Sequence, residues 1–106
     1  MATSKRCREK FHAAVHALAV REGDVRERLK GAYFYLRSLS PEEVSASQRA
    51  EFGAILAALT RRGPELGFDG EVFKKAIDNT LGLMRNSTGR NIAERIYALA
   101  KDIDAL

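Results

Sequence analysis

One cysteine, Cys7, stands alone in the chain, so no internal disulfide can form and nothing asks for an oxidising compartment. Apolar runs are short as well. None approaches the roughly 18–20 residues of a membrane span, which excludes a transmembrane helix. Strict alternation of apolar and polar residues never lasts a useful length, so no strand is expected. There is no internal repeat, no low-complexity tract and no glycine-rich phosphate loop following a strand.

What is present suits one globular domain. The 106 residues are 45% hydrophobic and 30% charged, as in ordinary folded proteins and unlike disordered ones. A chain of this size has room for one core, burying about two-thirds of its extended-chain surface. The opening stretch MATSKRCREKFHAAVHALAV puts basic residues before apolar ones, but His12 and His16 interrupt it and Arg21-Glu22 follow at once. It reads as an amphipathic helix rather than a secretory signal, and the expected setting is the cytoplasm. The formal charge of +4 is uneven: residues 1–40 balance at +5, 41–72 at −3 and 73–106 at +2. Such an excess favours acidic partners at long range.

Asp24–Leu39, DVRERLKGAYFYLRSL, organises the remainder. Val25, Leu29, Ala32, Tyr33, Leu36 and Leu39 recur at steps of three and four, one face of an α-helix. Phe34 and Tyr35 step off that face, and the three consecutive aromatics span about 200° of the helix. A helix apolar on more than one side is a central one, touching neighbours on two flanks or a second subunit. Ahead of it, Thr3 or Ser4 caps a first helix with Cys7, Phe11, Ala14, Val15 and Leu18 on one stripe, failing near Gly23. Asp24 caps the second helix and Glu27 completes a capping box, so a tight helical hairpin is expected.

Ser40-Pro41-Glu42-Glu43 then starts a new segment, with Glu43 placed to reach back to the Ser40 amide. A single turn there precedes a third helix from about Ser47 to Arg62, with Phe52, Ile55, Leu56 and Leu59 inward, stopped by Gly63-Pro64. Gly67–Gly70 is the loosest segment. Asp69 caps a fourth helix to about Arg85, whose inner face is Val72, Phe73, Ala76, Ile77, Thr80, Leu81 and Met84. Asn86-Ser87-Thr88-Gly89 reads as a turn and cap, followed by a last helix presenting Ile92, Ala93, Ile96, Leu99 and Ile103, with Tyr97 at its edge, fraying near Leu106. The expected fold is all-α, a compact bundle of about five helices in a single domain. Phe11, Leu29, Leu36, Phe52, Leu56, Phe73, Ile77, Leu81, Ile92 and Ile96 should be its most buried residues.

Candidates for chemistry are few. His12 and His16 share the spacing of a metal pair, but Ala13 follows His12 where a zinc-protease helix has glutamate, and Cys7 points about 140° away. No metal or cofactor is assigned. Lys5, Arg6 and Arg8 could lower the Cys7 thiol pKa, yet Cys7 occupies a core position and has no base to activate it. Glu42-Glu43 is a helix-cap pair. No enzyme is read here.

The expectation is a non-enzymatic protein-interaction or regulatory module that self-associates as a homodimer, with Phe34 or Tyr35 beside Tyr33 meeting a partner. The alternative is nucleic-acid binding. It rests on the basic N-terminal half and on a likeness of the last two helices to a helix-turn-helix, presenting Thr88, Arg90, Asn91 and Arg95. Against it, the first helix of that pair is long for the motif and Glu94 sits on the reading surface. Arg85, Ser87, Thr88 and Arg90 form a candidate anion site, because a helix start turns unpaired amides outward. No membrane partner is expected.

Overall fold

The computed structural model describes residues 3–106 apart from the side chain of Phe73. Five α-helices, α1 (Lys5–Val20), α2 (Val25–Leu36), α3 (Arg49–Leu59), α4 (Ala76–Gly82) and α5 (Asn86–Asp102), pack as an all-α bundle. Two 3₁₀ turns, Pro41–Glu43 and Ala46–Gln48, lead into α3, and a short hairpin of β1 (Glu65–Leu66) and β2 (Val72–Lys74) separates α3 from α4. No described helix is long and apolar enough to cross a membrane.

The first two helices form as their caps predict. Ser4 accepts from the Cys7 amide at 3.0 Å, and Asp24 accepts from the amides of Arg26 and Glu27. Glu27 does not return a bond to the Asp24 amide, so the second half of the expected capping box is not made. Gly23, at φ +100°, turns the chain between them. The pair is antiparallel, since the start of α1 meets the segment beyond α2: the Ser4 amide donates to Glu43 O at 2.9 Å, and Arg6 donates to both Glu43 carboxylate oxygens. That carboxylate also accepts from the Ser40 amide at 2.9 Å, as the Ser40–Glu43 pattern predicts.

Leu29, Ala32 and Leu36 are fully buried on α2, and around them lie Phe11 and Ala14 of α1, Phe52, Ile55 and Leu59 of α3, and Ile96 of α5. Each large side chain withdrawn from water contributes about 1.5–3 kcal/mol. Phe11 and Phe52 meet with ring centroids 6.0 Å apart. Ile77, Leu81 and Ile92 are buried as predicted, Leu56 is only partly so, and the expected burial of Phe73 lies outside the described residues. Ile103 and Ala105 tuck in after α5, whose end turns through Asp104 at φ +61°.

Two further sequence expectations fail, and the first of them also overturns the expectation that no strand forms. The fourth helix does not begin at Asp69: the Asp69 carboxylate accepts from the Glu71 amide at 3.1 Å, Gly70 takes φ +85°, and the Gly67 amide donates to Glu71 O at 2.8 Å. The local turn chemistry of Asp and Gly therefore outcompetes helix capping and closes a hairpin, leaving Val72 exposed. Strands of two and three residues are too short to show a period. The second failure is Asn86–Gly89, which is the first turn of α5 rather than a loop before it. Arg85 occupies the capping position without a side-chain cap bond, so Thr88 is not the cap.

Gly89 thus lies inside a helix, buried where α5 crosses α2. A Cβ there would sit 2.8 Å from Cγ1 of buried Val25, so one of the two would have to shift, whereas a Cβ on exposed Gly53 of α3 meets nothing within 4 Å. The two alanine substitutions should have opposite signs in chemical denaturation. Gly53→Ala is expected to add about 0.5–1 kcal/mol through helix propensity. Gly89→Ala is expected to lose about 1–3 kcal/mol through overpacking. Equal shifts would show that α5 does not approach α2 this closely.

A second prediction concerns acid. The Ser40 amide first, and Arg6 next, hold the Glu43 carboxyl below the usual carboxylate range. The unfolded chain then binds the extra proton, so this clamp stabilises the fold above pH ~4 and is lost as pH falls through the depressed folded value. Glu43→Gln should melt below wild type at neutral pH, and the gap should close in acid; a gap of constant size would assign the effect to packing.

Candidate functional site: two basic clefts

Two clefts flank α4, and both are lined by cations. The larger, about 840 Å³, opens between α2 and the strand that leads into α4. Tyr33 and Phe34 form its apolar wall, with Val72 and Ile77 opposite, and Arg21, Lys30, Arg37, Lys74 and Lys75 surround it. Asp78 is the one carboxylate in the lining, and it is engaged by Lys30 at 2.6 Å. Asp78 therefore pairs across to α2 instead of with a neighbour along its own helix.

The helix period explains the aromatic wall. Successive residues turn about 100°, so Tyr33, Phe34 and Tyr35 cannot share a face. Tyr33 and Tyr35 are half-buried, while Phe34 is 58% exposed. Phe34 stands edge-on to Tyr35 with centroids 5.4 Å apart, and the Arg37 guanidinium lies 5.3 Å from its centre. Tyr35 leaves the groove and takes the Lys10 ammonium at 5.9 Å. Of the three candidate interaction residues, the structure thus brings Tyr33 and Phe34 to one groove and places Tyr35 beside it.

The smaller cleft, about 330 Å³, lies where α3 ends and α5 begins. Arg61, Arg62, Arg85 and Arg95 line it together with Thr88 and Asn91, over a floor that includes Leu83, Met84 and Ile92. Among the described residues, no acid is in this lining. Arg95 is engaged by Glu51 through two bonds, at 2.7 and 3.0 Å, which hold the Glu51 carboxyl below its ordinary range and the guanidinium above its own. The wall is braced from α4, where buried Thr80 accepts from the Arg62 amide at 3.1 Å and Asn79 donates to Gly63 O at 3.1 Å.

Of the candidate anion residues, Arg85 and Thr88 meet in this cleft, and Ser87 and Arg90 are exposed on α5 outside its lining. Arg61 and Arg62 take the place expected of Arg90. They come from the turn after α3, so only the fold brings them near Arg85. The helix-turn-helix expectation also changes. The helix before α5 has 7 residues rather than the long one expected, and it packs against α2 and α3. In that motif the two helices are joined by a short turn at a fixed angle to one another.

The remaining candidates hold little chemistry. Burial first, then the Glu43 charge, push the Cys7 thiol up to about 11, against the opposing pull of Arg8 and Arg6. At neutral pH it is a buried thiol, not a nucleophile. His12 and His16 are exposed, with His12 Nδ1 3.1 Å from Ala105 O, and among the described residues no three metal-ligating side chains come together.

Sequence reasoning missed Arg21, Arg37, Lys74 and Lys75 as one set, because they belong to three separate segments. A signal for the hairpin did exist: Gly67-Phe68-Asp69-Gly70 is turn chemistry between two apolar positions, Leu66 and Val72. Compared with protein-family models, with curated proteins and with solved structures, the chain matches none, so the two clefts stand on their own geometry.

Proposed function

We propose that this chain is a non-enzymatic interaction module whose larger groove receives an acidic, apolar segment of a protein partner. The observation that carries this reading is the pairing of Tyr33 and Phe34 with five cations around one groove, four of them free of the Lys30–Asp78 pair. Aromatic side chains supply large contact area at a small cost in conformational freedom, and they recur as anchors at the centres of interfaces. The surrounding lysines and arginines add steering and select against basic partners. A buried free thiol at Cys7 is compatible with the cytoplasmic setting we assign.

Nucleic-acid binding is a second reading, favoured by the smaller cleft. Arg61, Arg62, Arg85 and Arg95 converge there without a carboxylate in the lining, and Thr88 and Asn91 are hydrogen-bonding types that serve phosphate or base edges. This version relies on the turn after α3 and the start of α5 instead of a two-helix reading unit.

One titration with two probes separates them. A fluorescent peptide alternating phenylalanine with glutamate should bind the wild-type chain, and Arg37→Glu with Lys75→Glu should weaken it by about tenfold or more at unchanged melting temperature. Arg61→Ala with Arg62→Ala should leave peptide binding alone. If instead a single-stranded oligonucleotide binds, with a log–log salt slope near −0.7 per phosphate neutralised, and this second pair of substitutions removes that binding, the smaller cleft is the functional one. A peptide that binds wild type and the Arg37/Lys75 variant equally, or binds neither, would refute the groove.

A further inference from the structure

The hairpin between α3 and α4 carries side chains that its own chain leaves uncovered. Leu66 and Val72 are more than half exposed and Phe68 is completely so. Glu65, Asp69 and Glu71 are interspersed with them, and no basic residue lies between Glu65 and Val72. The tip is nevertheless built. Glu71 O accepts from the Gly67 amide at 2.8 Å, Gly67 O from the Gly70 amide at 2.9 Å, and the Asp69 carboxylate from the Glu71 amide. Gly70 permits this closure because its φ of +85° suits a residue without a Cβ.

That tip has the character the groove calls for. The groove offers Tyr33 and Phe34 amid Arg21, Arg37 and Lys75; the hairpin offers Phe68 amid Glu65, Asp69 and Glu71. Phe68, being wholly exposed, does not enter its own chain's groove. We propose that the groove is filled by the hairpin tip of a second copy of this chain, with Phe68 against Tyr33 and Phe34 and the tip carboxylates facing the groove cations. The inference rests on the groove reading above and names its occupant. Tip and groove adjoin, because Val72 and Lys74 belong to β2 and also line the groove. A patch that carries both halves of a complementary contact side by side closes as a two-fold pair, each tip in the other's groove. The groove's 840 Å³ falls in the range of about 300–1,000 Å³ typical of ligand-sized pockets, which accommodates one ring and its turn.

The test is sedimentation equilibrium of the full chain over a wide range of concentration. Wild type should form a dimer that weakens with added salt. Phe68→Ser should raise the dimer dissociation constant by about tenfold or more, with the helical circular dichroism unchanged because the ring is exposed in the single chain. Arg37→Glu with Lys75→Glu, and separately Glu65→Lys with Glu71→Lys, should each be monomeric through like-charge repulsion. Mixing these two variants restores opposite charges at both contacts, so the mixture should dimerise although neither component does. Wild type that stays monomeric, a Phe68→Ser dimer as tight as wild type, or a mixture no more associated than its components would each overturn self-docking. Should wild type stay monomeric while the unrelated acidic peptide still binds in a way that Arg37→Glu with Lys75→Glu abolishes, the groove is a docking site for another protein; loss of both would remove the groove reading as well.

Discussion

The fold depends on the burial of one face of α2. That helix packs against each of the other four, and its Leu29, Ala32 and Leu36 are withdrawn from solvent completely. Small residues set how close the neighbours come. Gly89 lets the first turn of α5 ride against Val25 and Leu29, and Gly31 leaves room for the Arg21 side chain to lie over the helix. With an apolar seam this close-packed, the remaining elements have little freedom in where they dock. The consequence for the surface is direct: once the Leu29–Leu36 face is inward, the helical period places Phe34 outward.

Around that seam the polar contacts act as ties between segments that have no core of their own. Glu43 joins the Ser40 turn to Arg6 of α1, Glu51 joins α3 to Arg95 of α5, and Lys30 joins α2 to Asp78 of α4. These ion pairs are substantially exposed, and pairs of that kind contribute little singly. Their geometry is nonetheless informative, because each engages a carboxylate that would otherwise oppose the neighbouring cations. Among the described residues, Arg21, Arg37, Lys74 and Lys75 around the larger groove, and Arg61, Arg62 and Arg85 around the smaller, make no ion pair.

Charge that is segregated along the chain becomes segregated in space. The acidic middle third supplies the hairpin's Glu65, Asp69 and Glu71, while the basic flanks supply the cations of the groove beside it. The two regions carry opposite signs on adjoining surfaces, and salt screens attraction between such exposed charges beyond about 8–10 Å. Exposed apolar side chains accompany both, so the same surface combines electrostatic steering with area that is worth removing from water.

The residues alone determined the all-α class, the hairpin of α1 and α2 with its Ser4 and Asp24 caps, the Ser40–Glu43 turn, and the inward faces of α3 and α5. Each of these follows from interactions within about four residues along the chain, where helical periodicity and capping act. They also determined that Tyr33, Phe34 and Tyr35 could not all be hidden, which is a matter of angle. Only the tertiary structure decided where the chain departs from helix after Pro64, because a hairpin of two- and three-residue strands carries no periodic signal and its turn competes with a plausible helix cap at Asp69. It likewise decided that Gly89 is a packing residue within α5 and not a loop glycine, since the deciding neighbour, Val25, is distant in sequence. The cation sets of both clefts belong to the same class: Arg61 and Arg62 meet Arg85, and Arg37 meets Lys75, only because α3 and α4 are docked on α2, and no pattern read along one segment contains a contact made between two.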